Sequence, residues 1–102
     1  MHLDDVTLET FEPHVGSTFT IKFESADPVQ VKLVRAVPIM ERISSTKLKR
    51  KPFSLYFEGT DSIVLPQRMY AFTHDEIDEV LPIFIVPMGR ENGVVTYEAV
   101  FT

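Results

Sequence analysis

The sequence predicts an all-β fold: a small antiparallel barrel or two-layer sandwich of about six strands with a short N-terminal helical turn. Three observations carry that prediction. From Phe19 onward, apolar residues recur at every second position, the rhythm of a strand with one buried face. Turn-forming clusters of Gly, Pro, Asn, Asp and Ser interrupt this rhythm at short intervals, as they do between strands. No ten-residue stretch makes an amphipathic helix. Closure is expected because open sheet edges invite aggregation.

The elements follow in order. Leu8, Phe11 and Val15 are spaced by three and four, so LETFEPHVG reads as a helical turn capped by Thr7 or Thr10. Pro13 and Gly16 limit its length. In TFTIKFE, Phe19, Ile21 and Phe23 alternate with polar residues and predict a strand. SADP (25–28) turns the chain into PVQVKLVRAV, whose alternation falters at Val34-Arg35-Ala36, the mark of a bulge. The stretch 39–52 breaks the pattern. FSLYFEG resumes it, with Phe53, Leu55 and Phe57 on one face. A turn at 59–62 precedes a strand near 67–73. LPIFIVPMG (81–89) is apolar on both faces, so it is expected to be covered on both sides. Pro82 and Pro87 should confine it to a short span or an edge. Asn92-Gly93 is a hairpin signal, and VVTYEAVFT supplies the last strand.

The chain has 102 residues, 44% of them hydrophobic, which suits one domain over 1–102 with a single modest core. It has no cysteine, so disulfides, thiolate metal sites and thiol nucleophiles are excluded. The acidic start MHLDDVTLETF lacks the basic and apolar regions of a signal peptide. No apolar run is long enough for a membrane span. The expectation is a cytoplasmic protein without membrane contact. A net charge of −5 argues against nucleic acid as a partner.

HDEIDEV (74–80) packs His74 with Asp75, Glu76, Asp78 and Glu79. It has no glycine and no calcium-loop spacing. A zinc site needs further good ligands, and the other histidines, His2 and His14, lie near the opposite terminus. The expectation is a solvated acidic connecting loop, with His74 on the inward parity of Tyr70 and Phe72. Half of the Lys and Arg fall within 42–51, but no aromatic is interleaved for base stacking. That stretch reads as a solvated loop tip that can touch an acidic protein surface. No serine occupies a nucleophile elbow, and the four glycines form no phosphate loop. Neither a catalytic group, a metal ligand nor a cofactor is assigned.

Tyr56 falls opposite Phe53, Leu55 and Phe57. Phe84 lies on the second apolar face of its strand, with Val86, Met88 and Met69 near it. These residues form an outer contact patch, unless the lead-in turn 8–15 covers them.

The ordered set LETFEPHVGSTF, PFSLYFEG, LPQRMYAFTH, LPIFIVPMG and YEAVFT resembles a bacterial family of small single-domain proteins of unknown function. Its members read LxxFxPxVGxxF, FSLxFxG, LxQxxYxxxH, a strand ending VPxG, and YEAVF. Many carry an HPxLG-type turn where this chain has HDEIDEV. The resemblance implies no catalytic residues. Members at times lie beside phage-tail-collar-like proteins, which implies an accessory role for a tail or surface-fibre component.

The leading expectation is therefore a non-catalytic β module that binds another protein or a second copy of itself. Its contact residues would be Tyr56, Phe84, Val86 and Met88, assisted by Lys47, Lys49, Arg50 and Lys51. The alternative is a small-ligand- or metal-binding barrel, or an enzymatic one, with His74 and the acids 75–79 at its mouth.

Overall fold

A computed structural model describes residues 6–39 and 51–102. Helix α1 (Leu8–Phe11) runs into a 3-10 turn (Glu12–His14). Six strands follow: β1 (Thr18–Lys22), β2 (Val29–Pro38), β3 (Phe53–Thr60), β4 (Arg68–His74), β5 (Ile77–Glu91) and β6 (Val94–Phe101). They close into a barrel in the order β1-β2-β3-β6-β5-β4, with every pairing antiparallel. The barrel, not the sandwich, is thus the architecture.

Alternation explains the closure. The inward positions of all six strands are apolar, and Phe19, Ile21, Leu33, Leu55, Phe57, Phe72, Ile83, Ile85, Val95 and Ala99 are almost wholly buried. Phe57 lies 5.6 Å from Phe19 and 5.0 Å from Phe72, ring centre to ring centre. Side chains fill the interior, as expected for a barrel with this few strands.

The lead-in closes the core. The Thr7 N–H donates to Thr10 Oγ1 at 3.0 Å, which fixes the start of α1 at Thr7. Phe11 then lies 5.7–6.5 Å from Phe101, Phe53 and Phe19, and is fully buried. Two interior tyrosines hold the β3–β4 connection: Tyr97 Oη accepts the Leu65 N–H at 3.0 Å, and Tyr70 Oη donates to the Pro66 carbonyl at 2.7 Å.

The bulge expected at 34–36 is present as a register shift between Leu33 and Arg35. Asn92 (φ 54°) and Gly93 (φ 81°) are both left-handed, the conformation of a two-residue hairpin turn matched to strand twist.

β5 departs from expectation twice. It runs for 15 residues instead of a short span. Its ladders explain why the prolines are tolerated: residues 77–85 pair with β4, and 86–91 pair with β6. Each half therefore has one side outside those ladders, where a missing N–H removes no ladder bond. Nor is β5 covered on both faces. Phe84 is 45% exposed, because its inner neighbours Ile83 and Ile85 already fill the core and no layer lies over the outer face among the described residues. The expected acidic loop is also shorter than the sequence suggests. Only Asp75 and Glu76 form the turn, and Ile77 already begins β5.

Candidate functional site

Two features stand apart from the core: a histidine cluster at the β4–β5 turn, and an outward row of side chains across β2, β3, β6 and β5.

The cluster is built by local chain geometry. The Glu12–His14 turn is closed by the Val15 N–H donating to the Glu12 carbonyl. Gly16 follows at φ +94°, a conformation costly for other residues, and redirects the chain into β1. The Gly16 N–H donates to the Leu33 carbonyl at 2.6 Å, and the Leu33 N–H donates to the Ser17 carbonyl at 3.0 Å. Ser17 is thereby fixed against β2. Its N–H and its hydroxyl both donate to the His14 carbonyl, at 3.0 and 2.7 Å.

From the other side, β4 ends in His74. Its ring lies 4.5 Å from the His14 ring and 4.6 Å from the Phe19 ring. His74 Nδ1 accepts the Glu76 N–H at 3.0 Å, and Nε2 lies 2.8 Å from Ser17 Oγ. These bonds determine the tautomer. Nδ1 accepts, so it carries no proton. The single Ser17 hydroxyl proton goes to the His14 carbonyl, so Nε2 must be the donor to Ser17 Oγ. His74 is the neutral Nε2–H form, held at both nitrogens.

His14 is held differently. Its Nδ1 is buried and lacks a hydrogen-bond partner. The nearest carboxylate oxygen, Glu76 Oε1, is 3.6 Å away, beyond the usual hydrogen-bond range. One ligand-type atom each of His14, His74 and Glu76 lies within 4.8 Å of the others. The cluster borders an open cleft of about 420 Å³ lined by Thr10, His14, Glu76, Ile77, Asp78 and Glu79. The acids of the turn are exposed, as expected, and His74 is half-buried.

The outward row follows the strand register: Arg35 faces Tyr56, Tyr56 faces Glu98, and Glu98 faces Val86. Tyr56 Oη donates to Glu98 Oε2 at 2.7 Å. The Arg35 guanidinium lies 5.0 Å from the Tyr56 ring centre, within cation–π range. The Glu98 hydrogen bond, then partial desolvation, raises the Tyr56 phenol above its ordinary 10.0. Beside this row, Met69 and Phe84 are cross-strand partners, and both are about half exposed. Val100 is also exposed.

The sequence-predicted contact residues are therefore only partly brought together. Tyr56 and Val86 are half-buried members of one row, and Phe84 lies two residues along β5 on the same parity. Met88 is separated from them. A register shift between Pro87 and Gly89 breaks the alternation, and Met88 lines a shallow groove with Val64, Pro87 and Val95. The lead-in turn does not settle over the outer patch, since Phe11 is committed to the core. Lys47, Lys49 and Arg50 lie outside the described residues, and Lys51 is exposed. Sequence reasoning missed His14 and Ser17 as neighbours of His74. The signal was present only as Pro13 and Gly16, which shape the turn that carries His14 back.

A closed, side-chain-filled barrel of six antiparallel strands defines the class. The chain belongs to the family described as Domain of unknown function (DUF6916), whose model matches residues 6–101. No curated protein and no solved structure matches it. Among the described residues, no helix is long and apolar enough to cross a membrane.

Proposed function

We propose that this domain acts by contact with another protein, as an assembly or accessory module, and not by catalysis. The carrying observation is the Met69–Phe84 pair. Two large apolar side chains face each other across β4 and β5, 52% and 45% exposed, on a barrel whose interior is filled by apolar side chains. Paired exposed hydrophobics on a small soluble domain are a feature of contact surfaces.

The neighbouring row supports this reading. Tyr56 is held by Glu98 on one side and Arg35 on the other. Tyr and Arg are over-represented among residues that dominate binding energy, and a side chain already held loses less entropy on docking. The family resemblance adds direction: the partner we favour is a protein of a phage-tail-like or surface-fibre assembly.

The test is light scattering after gel filtration, with the domain alone and mixed with proteins encoded beside it. Expected is a complex or self-associated species that Phe84→Asp weakens by about tenfold or more, as truncating a buried anchor does. A monomer that gains no mass under any of these conditions refutes the reading. So does a complex indifferent to both Phe84→Asp and Tyr56→Ala.

A further inference from the structure

We propose that His14, His74 and Glu76 form a binding site for one divalent transition-metal cation of the Zn²⁺ type. The argument starts from the orphaned atom. A buried polar nitrogen without a partner is costly, yet His14 Nδ1 is in that position. The oxygen it faces, Glu76 Oε1, is 3.6 Å away. That is too long for a hydrogen bond. It is close to the separation of two ligands on one tetrahedral zinc, roughly 3.3 Å from bond lengths near 2.0–2.1 Å. A cation between the two atoms would satisfy both.

His74 is prepared for the same role. Metal binding requires a neutral imidazole with a free lone pair, and usually a second ring N–H held by an oxygen. The Nε2–H donated to Ser17 Oγ at 2.8 Å is such an arrangement. It leaves Nδ1 as the nitrogen that can ligate. Coordination there exchanges one hydrogen bond, from the Glu76 N–H, and retains the one to Ser17. Ser17 is thus a positioning residue. Its hydroxyl is held in turn by the His14 carbonyl at 2.7 Å, so one serine ties both histidine-bearing segments together.

The donor set selects the metal class. Two imidazoles and a carboxylate suit Zn²⁺ and its first-row neighbours, whereas Ca²⁺ and Mg²⁺ prefer oxygen throughout. One ligand-type atom of each residue already lies within 4.8 Å of the others, so a contraction of at most about 1.5 Å reaches the zinc separation. Glu76 is on a two-residue turn with its side chain 75% exposed, so it can supply that movement. The cleft on the Ile77–Glu79 side leaves an approach for the ion.

The experiment is calorimetric titration of the full chain with ZnCl₂, accompanied by melting curves. Expected is one ion per chain and a Tm that rises with free Zn²⁺. Glu76→Gln, whose exposed side chain leaves folding intact, should weaken binding by roughly tenfold or more, and Ser17→Ala by about tenfold. Co²⁺ should bind with visible absorption that is lost in His14→Ala; if that variant fails to fold, Glu76→Gln decides. Absence of heat and of a Tm shift up to about 1 mM Zn²⁺ overturns the proposal. Affinity unchanged in Glu76→Gln, or a matching response to CaCl₂, overturns it equally. Neither result bears on the Phe84 contact face, which is read by molecular mass.

Discussion

Ser17 and His74 stand 57 positions apart in the chain, yet Ser17 Oγ lies 2.8 Å from His74 Nε2. The bond joins the residue before β1 to the end of β4 and, with the Glu76 N–H on Nδ1, determines which ring nitrogen carries the proton. Long-range ¹H–¹⁵N spectra of the metal-free protein should show His74 in the Nε2–H form. Ser17→Ala removes this bond and the one from the hydroxyl to the His14 carbonyl and should cost about 1–3 kcal/mol, the usual contribution of two such bonds, read from urea unfolding. A His74 resonance in the Nδ1–H form would contradict the network.

Tyr56 gives a pH-dependent test. Its folded phenol keeps its proton to higher pH than an unfolded tyrosine, chiefly through the bond to Glu98 and then through desolvation. Protons are thus bound more tightly by the folded chain, so stability falls with pH in that range. The contribution is intact below about pH 10, the unfolded value, and is lost as pH rises through the raised folded value. Tyr56→Phe should lose about 1 kcal/mol near neutrality. The gap between the two proteins should narrow in urea unfolding above about pH 10. A gap that widens there would rule out the stated cause.

Phe11 tests whether the lead-in belongs to the core. Phe11→Ala removes a ring in contact with Phe19, Phe53 and Phe101 and should cost about 3–5 kcal/mol, much of the stability of a small domain. Phe84→Ala, on the exposed face, should stay within about 0.5 kcal/mol. Comparable melting temperatures for the two variants would mean that Phe11 does not plug the barrel.

Strand rhythm made most of the fold legible. The alternations at Phe19–Phe23 and Phe53–Phe57, the bulge near Arg35 and the Asn92-Gly93 turn follow from local chemistry. β5 was harder to read. Asp78 and Glu79 look like loop residues, but they are exposed positions inside a strand that already begins at Ile77, and the buried alternation starts only at Leu81. The apparent two-sided burial of LPIFIVPMG came from counting apolar residues, which cannot say whether a second layer exists. His74 was legible as a residue on the inward parity, and the structure leaves it half-buried. Its pairing with His14 was not, because that contact depends on how the barrel closes between β1 and β4 and no local pattern records it.

β5 serves two hairpins in succession, the first half with β4 and the second with β6, each joined by a tight turn. The run 68–101 can therefore assemble from near neighbours, whereas β1 must travel far along the chain to meet β4. Local contacts form fastest, so the β4–β6 meander is the expected folding nucleus and β1 the late arrival. In that case Ile83→Val slows folding while Ile21→Val mainly hastens unfolding. The opposite partition in stopped-flow kinetics would place the nucleus at the other end of the molecule.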